Sequence, residues 1–302
     1  MTTPVNDENA PLVFSRRIAS KKPENIRNRD GYCPFCDVDS LENIIRRDGE
    51  RIWLVNKYRT LEQTMQTIVI ESSRHDGDPS NYDRSENREV FRFALSCWSE
   101  MLSSGTYKSV LMYKNYGPLS GGSLLHPHFQ IVGLRDKDGY ERVSPNAFSG
   151  VEVVRDGQRL MTLSTHPIMG FVEINASMPA TTGEFGCEGG DVDWLADVMA
   201  PTIRHLLTEY HGGTCTSYNL FFYYTGMPAA GPEGAPVEAG GLGEAGRIVC
   251  KLVPRWSASP YFVGYRISQV DSVETLEAVR DQLRPRILER LSPAWTDGAN
   301  EA

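Results

Sequence analysis

Two histidines and a glutamine alternate in the segment His126-Pro127-His128-Phe129-Gln130. If this segment is a strand, the three side chains share one face, with neighbours about 6–7 Å apart. Gly121, Gly122 and Ser123 lie just upstream, where glycines let backbone N–H groups approach and hold an anion. A phosphate held beside imidazoles is what phosphoryl or nucleotidyl transfer through histidine requires. The same His-X-His pattern is typical of metal pairs and also arises by chance, and Pro127 disfavours an interior strand position.

A second chemical motif is the pair of cysteines in Cys33-Pro34-Phe35-Cys36. In a reducing compartment a Cys-X-X-Cys pair is either a metal knuckle or a redox pair. A redox pair normally follows a strand and opens a helix, whereas this pair follows a polar, charged loop, which favours a metal. Two thiolates cannot complete a tetrahedral zinc site, so two further ligands must come from elsewhere in the chain.

The bulk composition restricts the classes of function. The chain has 302 residues, 40% hydrophobic and 23% charged, as in soluble globular proteins. Its net charge of −8 argues against nucleic-acid binding, which relies on neutralising phosphates with basic residues. One local basic cluster could hold a diphosphate or form a solvated face, and it comprises Arg16, Arg17, Lys21, Lys22, Arg27 and Arg29.

The compartment is predicted from what the sequence does not contain. No apolar run reaches the roughly 18–20 residues that a membrane span needs, so no membrane partner is expected. Residues 1–11 are polar and acidic, unlike a secretory signal. Six cysteines in a chain of this length do not indicate a secreted disulfide scaffold. We therefore expect a cytoplasmic protein.

The first half of the chain has the pattern of strands around one helix. Residues 44–55 form a predicted hairpin, because Asp48-Gly49 separates two short apolar runs. Apolar residues of the segment 87–103 recur with helical spacing. The remaining predicted strands are 67–71, 109–113 and the histidine segment.

The second half repeats this order. Arg47-Asp48-Gly49-Glu50-Arg51 matches Arg155-Asp156-Gly157-Gln158-Arg159, and a second helix is predicted at 191–210. The matching strands are 170–174, 217–226 and 248–254. We predict an α+β protein of two tandem units, each an antiparallel sheet with flanking helices, and two copies favour a duplication over a solenoid. The predicted domains are residues 12–148 and 149–302.

The second copy lacks the histidine row, and Cys250 and Leu252 are predicted to stand at the histidine positions. The first copy is therefore expected to carry the chemistry. Residues 227–246, rich in Gly, Ala, Pro and Glu, are a candidate lid or a plain disordered insertion. A C-terminal helix is predicted at 272–291, with Pro285 expected to break or kink it.

These motifs together resemble the galactose-1-phosphate uridylyltransferase family, a branch of the histidine-triad superfamily. The resemblance covers residues 14–135, and Tyr218-Asn219 and Phe262-Val263-Gly264-Tyr265 are similar to the family's C-terminal half. The combination of motifs is specific, although each alone is weak. The matching positions in the first half are Cys33 to Cys36, Asn56-Lys57-Tyr58, His75, Asn115, Gly121, Ser123 and His126 to Gln130.

The resemblance implies a two-tandem histidine-triad-like fold and a zinc site. Its ligands would be Cys33, Cys36, His75 and His126, a closed Cys2His2 set that fixes the start of the histidine strand. His128 would be the nucleophile, attacking the α-phosphorus of a nucleoside diphosphate and forming a nucleotidyl-histidine.

The same resemblance implies how the substrate is held. Gln130 and Ser123 would act with His128 as catalytic residues, and the implied substrate-binding residues are Asn115, Gly121, Gly122, Arg17, Lys22 and Arg266. Arg266 stands where the family has a glutamate that contacts sugar hydroxyls. Arginine suits a phosphate or carboxylate better than a neutral sugar, so the sugar is left open.

Three functions follow from these residues. The first is a nucleotidyltransferase that takes a nucleoside monophosphate from a nucleotide-sugar, or another nucleoside diphosphate donor, to a phosphorylated acceptor. The second is an ADP-sugar or dinucleoside polyphosphate phosphorylase or hydrolase. The third is a non-catalytic, zinc-stabilised nucleotide-binding protein. Dimers are common in the family, so a homodimer is expected by analogy.

Overall fold

One antiparallel sheet of ten strands organises the chain in the computed structural model, which describes residues 11–27, 32–180, 190–225, 246–257 and 259–295. The strand order is β1-β2-β3-β5-β4-β9-β10-β8-β7-β6. The strands are β1 Ile44–Asp48, β2 Arg51–Val55, β3 Thr64–Ile70, β4 Ser109–Tyr116, β5 His128–Leu134, β6 Gly150–Asp156, β7 Arg159–Ser164, β8 Ile174–Pro179, β9 Tyr218–Tyr224 and β10 Arg247–Pro254. The helices are α1 Arg16–Ala19, α2 Arg84–Ser103, α3 Gly190–Thr208, α4 Pro260–Tyr265 and α5 Val273–Leu291.

The two halves of the sheet have the same internal order. Strands β1 to β5 follow the order β1-β2-β3-β5-β4, and β6 to β10 repeat it as β6-β7-β8-β10-β9. The halves meet where β4 pairs with β9, so that Met112 faces Phe222 and Asn115 faces Asn219. The predicted α+β class with antiparallel pairing is confirmed, but the two expected sheets are one continuous sheet. The boundary between residues 148 and 149 stays a prediction.

The helices cover one face of this sheet. Helix α2 contacts β2, β4 and β5, α3 contacts β8, and α5 contacts β6, while α2–α3 and α3–α5 also pack together. The main apolar core lies between helices and sheet and contains Phe91, Trp98, Phe129 and Phe222. Asp83 caps α2 by accepting a hydrogen bond from the Glu86 N–H, which begins the helix at Arg84.

A buried carboxylate joins the helices of the two halves. Asp197 of α3 is only 2% exposed and accepts hydrogen bonds from Arg84 and Arg88 of α2. The Arg84 Nε–Oδ2 and Nη2–Oδ2 distances are 3.0 and 2.6 Å. A buried charge with good partners is costly to break, so this cluster fixes how the halves pack.

Most of the predicted elements are confirmed. Both hairpins form at the expected Asp-Gly turns, and Gly49 and Gly157 take positive φ there. The predicted strand 170–174 is wrong, because β8 begins only at Ile174. Gly170 and Phe171 have φ of +115° and +63°, which an extended strand does not allow.

The histidine segment is not a strand throughout. β5 begins at His128, and His126 and Pro127 lie before it, so His126 does not share a strand face with His128 and Gln130. Pro127 still extends the pairing of β3 and β5, because its carbonyl accepts a hydrogen bond from the Glu71 N–H at 3.2 Å.

The expected counterparts of the histidines in the second half are also wrong. Cys250 and Leu252 lie in the same core cluster as Phe129 and Ile131, between sheet and helices. Because side chains alternate along a strand, His128 and Gln130 point to the opposite face. Val249 and Lys251 are the β10 residues on that face.

Helix α5 continues through Pro285 instead of ending there. Leu276, Val279, Leu283 and Ile287 are all buried on either side of the proline. Burying each such side chain is worth about 1.5–3 kcal/mol, so the four burials together exceed the roughly 3 kcal/mol cost of an interior proline.

Two further expectations concern what the described residues contain. The candidate lid at 227–246 lies almost wholly outside them, since the description resumes at Gly246. Within the part of the chain that is described, no helix is long and apolar enough to cross a membrane.

Candidate active site and metal cluster

A tight loop of residues 117–127 brings backbone groups beside the start of β5. Gly117 turns sharply with φ of +80°, and a Cβ there would lie 2.2 Å from the Thr216 carbonyl oxygen, so only glycine fits. Gly121 also has positive φ, at +88°. The Ser123 carbonyl accepts hydrogen bonds from the N–H groups of Asn25 and Ile26, which ties the loop to the N-terminal segment.

His128 is buried at the first position of β5, with its ring orientation set by the backbone. Its Nδ1 lies 2.8 Å from the His126 carbonyl oxygen, so Nδ1–H donates to that carbonyl and Nε2 carries the lone pair. Burial lowers the pKa of His128 to about 4, with Lys114 and Lys22 adding to the effect. The imidazole is therefore neutral at physiological pH, as a nucleophile must be.

Gln130 is held on the same strand face as His128. The Tyr113 hydroxyl donates to Gln130 Oε1 at 3.1 Å across the β4–β5 pair. With its oxygen occupied in this way, the Gln130 amide presents its NH2 as the group available to a phosphate oxygen. Asn115 lies further along β4 and accepts from the Asn219 amide of β9 at 2.7 Å.

Four metal-ligating side chains converge beside His128. One donor atom from each of Cys33, Cys36, His75 and His126 lies within 4.8 Å of all the others. The Cys36 Sγ is 3.2 Å from the His75 Nδ1 and 3.4 Å from the His126 Nδ1. These are the separations that sulfur and nitrogen adopt around one tetrahedral ion, with bonds of about 2.3 and 2.0–2.1 Å.

The surroundings of this cluster also fit a metal. His126 Nε2–H donates to the Ser72 carbonyl at 2.9 Å, which leaves Nδ1 as the donor toward the cluster. Metal-bound histidines commonly donate their second nitrogen to a carbonyl in this way. Burial and Cys33 raise the pKa of the Cys36 thiol to about 11 in the bare protein, and a bound cation reverses that direction. The cluster is therefore able to hold a metal ion.

Phe35 connects the cysteine pair with both histidines. Its ring packs edge-on against His126 at 5.9 Å and against His128 at 5.3 Å between centroids. It belongs to a small apolar cluster on the sheet face opposite the helices, with Ile52, Leu54, Ile68 and Ile70. The cysteine motif thus supplies a wall of the site in addition to candidate ligands.

A cavity of about 310 Å³ opens on this face. Six of the predicted catalytic and substrate-binding residues line it, namely His128, Gln130, Ser123, Gly121, Gly122 and Lys22. Burial lowers the pKa of the Lys22 ammonium. Asn115 lines a neighbouring cavity instead, alongside Tyr113 and Asn219. Arg17 and Arg266 are exposed and line neither cavity.

A fully buried ion pair lies behind the site, on the helix side of the sheet. The Lys114 ammonium bonds to the Glu71 carboxylate, and Asp78 lies 3.9 Å from the same ammonium. Asp78 in turn accepts from the Tyr218 hydroxyl of the second half. Burial raises the pKa of Glu71 to about 7, although Lys114 opposes the shift. Because the Glu71 N–H holds the Pro127 carbonyl, this pair supports the chain between His126 and His128.

Sequence reasoning missed several residues of the cavity wall. Asn43, Asn56 and Tyr58 line the cavity, and Tyr32 and Phe35 close its entrance from the cysteine motif. Asn56-Lys57-Tyr58 was recognisable as a motif, and the Asn56 Oδ1 accepts the Tyr58 N–H at 2.8 Å. No sequence pattern pointed to Asn43, whose left-handed φ of +55° shows only in the structure.

The fold is shared with solved structures of low sequence identity. "Structure of uridylyltransferase" superposes with a TM-score of 0.60 at 15% identity, covering 87% of this chain and 93% of that one. An ADP-glucose phosphorylase from Arabidopsis thaliana gives a TM-score of 0.62 at 14% identity, covering 84% and 89%. The expected likeness to uridylyltransferases is therefore confirmed for the fold, which this chain shares with both structures.

Closer similarity comes from a family without a described function. Among curated proteins, none matches the chain significantly. A crystal structure of a DUF4931 family protein from Bacillus cereus is 35% identical, with a TM-score of 0.63, covering 80% of this chain and 98% of that one. Family models for the N-terminal and C-terminal domains of unknown function DUF4931 match residues 14–137 and 140–228. The chain therefore belongs to the DUF4931 family.

Proposed function

We propose that this protein is a nucleotidyltransferase that works through a covalent nucleotidyl-histidine on His128. The observation that carries the proposal is the bond between His128 Nδ1 and the His126 carbonyl, at the wall of a cavity lined by a glycine loop. That bond fixes one tautomer of a neutral imidazole and leaves Nε2 as the nucleophile.

The proposed reaction has two displacements at phosphorus. In the first, the Nε2 lone pair attacks the α-phosphorus of a nucleoside diphosphate donor, and the bond to the bridging oxygen breaks, releasing a phosphorylated product. In the second, an acceptor oxygen attacks the same phosphorus, the P–N bond breaks, and the lone pair returns to Nε2. Both steps develop negative charge on the phosphoryl oxygens, which preorganised donors stabilise.

The chain's own donors around the cavity suit that charge. The loop N–H groups of Gly121 and Gly122, the Ser123 hydroxyl and the Gln130 amide are the proposed contacts to the α-phosphate. Lys22 is the proposed partner of the second phosphate. Asn115 is proposed to act through Asn219, its hydrogen-bond partner, at the edge toward the neighbouring cavity.

Zinc is the proposed occupant of the Cys33, Cys36, His75 and His126 cluster. With four protein ligands the site is closed, so the ion would serve as a structural cross-link and not as a catalyst. Its effect would be to hold His126, and through the His126 carbonyl the ring of His128.

The proposed partners are a nucleotide-sugar or another nucleoside diphosphate donor and a phosphorylated acceptor. The fold relatives include a uridylyltransferase and an ADP-glucose phosphorylase, which is compatible with either sugar phosphate or inorganic phosphate as acceptor. Roles for Arg17 and Arg266 in binding this acceptor require a partner chain or a movement, because neither residue lines the cavity. A homodimer and a cytoplasmic location remain predictions.

The test is detection of the adduct by intact mass under alkaline conditions, where histidine phosphoramidates survive. The protein is incubated separately with UDP-glucose, ADP-glucose, GDP-mannose, a CDP-activated donor and a dinucleoside polyphosphate. We expect a gain of one nucleoside monophosphate with one of these, and none in His128→Ala. Metal-loaded protein that gains no mass with any donor, while binding nucleotide, would instead identify a non-catalytic binding protein.

The acceptor is then assigned by chasing the adduct. Adding a sugar 1-phosphate, inorganic phosphate or water alone distinguishes a transferase, a phosphorylase and a hydrolase by which one removes the nucleotide. The product nucleotide is identified by mass in each case.

A further inference from the structure

The second half of the sheet carries a cavity in the position that corresponds to the candidate active site. The first-half cavity is lined from β2, β3 and β5, and a cavity of about 690 Å³ is lined from the equivalent strands β7, β8 and β10. Leu160, Thr162, Ser177 and Val249 from these strands line it, together with Arg247 of β10 and with Gly150, Glu152 and Arg155 of β6. Both cavities open on the sheet face away from the helices.

This second cavity lacks a counterpart of His128 but has unbalanced positive charge. Val249 stands on the β10 face that corresponds to the His128 face of β5, and no histidine, cysteine or lysine is present among the described residues that line the cavity. The charged residues that line the cavity are Arg155, Arg247 and Glu152, which leaves a net charge of +1 in a chain whose net charge is −8. Positive charge collected in a cleft of an acidic protein attracts anions.

Arg247 is the strongest candidate for an anion ligand, because the hydrogen bonds of its side chain go to neutral groups. Its Nη2 donates to the Gln158 carbonyl at 2.6 Å and to the Ser177 hydroxyl at 2.9 Å. Among the described residues no carboxylate lies within 4.0 Å of it, and Asp191 pairs with Arg159 at 2.7 Å. Burial and the nearby Arg155 lower the pKa of Arg247, with Asp191 opposing the shift, and a bound anion would favour the charged form further.

Arg155 provides the second donor and is already oriented. It forms hydrogen bonds of 2.7 and 3.0 Å to Glu152 Oε2 at the cavity edge. The guanidinium has five N–H donors, and a single carboxylate oxygen does not use them all. The remaining N–H donors of the two arginine forks match the many acceptor oxygens of a phosphate group.

We infer that the second half holds a non-catalytic binding site for a small phosphorylated molecule, with Arg247 and Arg155 as its phosphate ligands. The site is separate from His128, so it does not depend on the proposed function. The cavity is large enough for a diphosphate with an attached group, and Phe148 offers an apolar wall for that group.

The test is equilibrium titration of the full chain with inorganic pyrophosphate and, separately, with ADP, at low ionic strength. The variants are Arg247→Gln, Arg155→Gln and the first-half variant Lys22→Ala, with Arg280→Gln on α5 as the matched charge control. We expect two binding events, one weakened about 10-fold or more by Arg247→Gln and less by Arg155→Gln. Lys22→Ala should weaken only the other event, and Arg280→Gln neither.

If pyrophosphate binds, the site recognises the phosphate groups by themselves. If ADP binds and pyrophosphate does not, the site requires the whole nucleotide. Thermal melting is measured for each variant, and the exposed Arg155→Gln keeps the test valid if Arg247→Gln is unstable. The inference is overturned if the wild type shows a single event that Lys22→Ala removes. It is also overturned if both arginine variants bind as the wild type does.

Discussion

The two cavities of the sheet are built from equivalent strands but offer different chemistry. At the first, a strand begins with His128, a glycine loop precedes it, and a metal-ligand cluster stands beside it. At the second, the corresponding strand places Val249 on the cavity face, and the charged groups among the described lining residues are two guanidinium groups and one carboxylate. The repeated sheet provides a cleft in each half, and the residues at the start of one strand decide whether that cleft contains a histidine of the kind the proposed mechanism requires.

Each half also has a buried lysine–glutamate pair, on opposite faces of the sheet. Lys114 with Glu71 lies toward the helices, against Phe129, and supports the histidine segment from behind. Lys251 with Glu173 lies toward the open face, over Phe148, at a distance of 2.7 Å. Glu173 additionally accepts the N–H groups of Ile168 and Met169, so this pair fixes a turn. The two pairs are therefore not counterparts and should respond differently to mutation.

The largest expected difference between the halves is in covalent chemistry. His128→Ala should lower turnover at least about 1,000-fold and abolish the adduct, because no other nitrogen replaces Nε2. Val249→Ala, on the equivalent strand, should leave the yield of adduct unchanged when it is measured at a temperature where the variant is folded. Intact mass and steady-state rates measure both. Adduct formation in His128→Ala would place the nucleophile elsewhere.

The next largest expected difference between the halves is in metal binding. Cys36→Ser should reduce the bound metal from one equivalent to none, since three ligands do not close the site. Cys250→Ser, a buried free cysteine of the second half, should retain the full equivalent. Elemental analysis of both variants gives the stoichiometry. Equal metal content in Cys36→Ser and the wild type would contradict the four-ligand cluster.

Removing either buried lysine should destabilise the protein, but only the change at Lys114 should also slow adduct formation. Lys114→Met and Lys251→Met each leave a buried carboxylate unpaired, which costs about 3–5 kcal/mol in the free energy of unfolding. Lys114→Met should also slow adduct formation, because Glu71 no longer holds the Pro127 carbonyl in place. Denaturant titration measures the free energy of unfolding, and quenched reactions analysed by intact mass measure the rate of adduct formation. Equal rates in the two variants at a temperature where both are folded would exclude this support role.

The smallest expected effect concerns the orientation of Gln130. Tyr113→Phe removes one hydrogen bond to Gln130 Oε1, worth about 0.5–1.5 kcal/mol, so turnover should fall no more than about 10-fold. Tyr223→Phe on β9 is the matched change beyond the centre of the sheet and should leave turnover within about 2-fold. A larger loss of turnover for Tyr223→Phe than for Tyr113→Phe would indicate that the active site lies closer to the second half.

Local patterns in the sequence were sufficient for most of the elements, and six of the predicted site residues line one cavity. Asp-Gly turns predict both hairpins, and helical spacing predicts α2, α3 and α5, because these signals depend on neighbours within a few residues. The resemblance carried by the cysteine pair and the histidine segment led to all four members of the metal cluster. Their donor atoms do converge, although His75 and His126 are 39 and 90 residues from Cys36 in the chain.

The tertiary structure alone decided which face each group occupies and which residues line the cavity. The turn around Glu173 delays the start of β8, and His126 lies before β5 with the other candidate metal ligands, whereas His128 begins the strand. Arg17 and Arg266 have the right charge for phosphate but lie away from the cavity. Burial of Lys114 and Glu71 depends on strands far apart in the chain meeting in one sheet. Long-range packing sets those environments, so residue type and spacing along the chain could not reveal them.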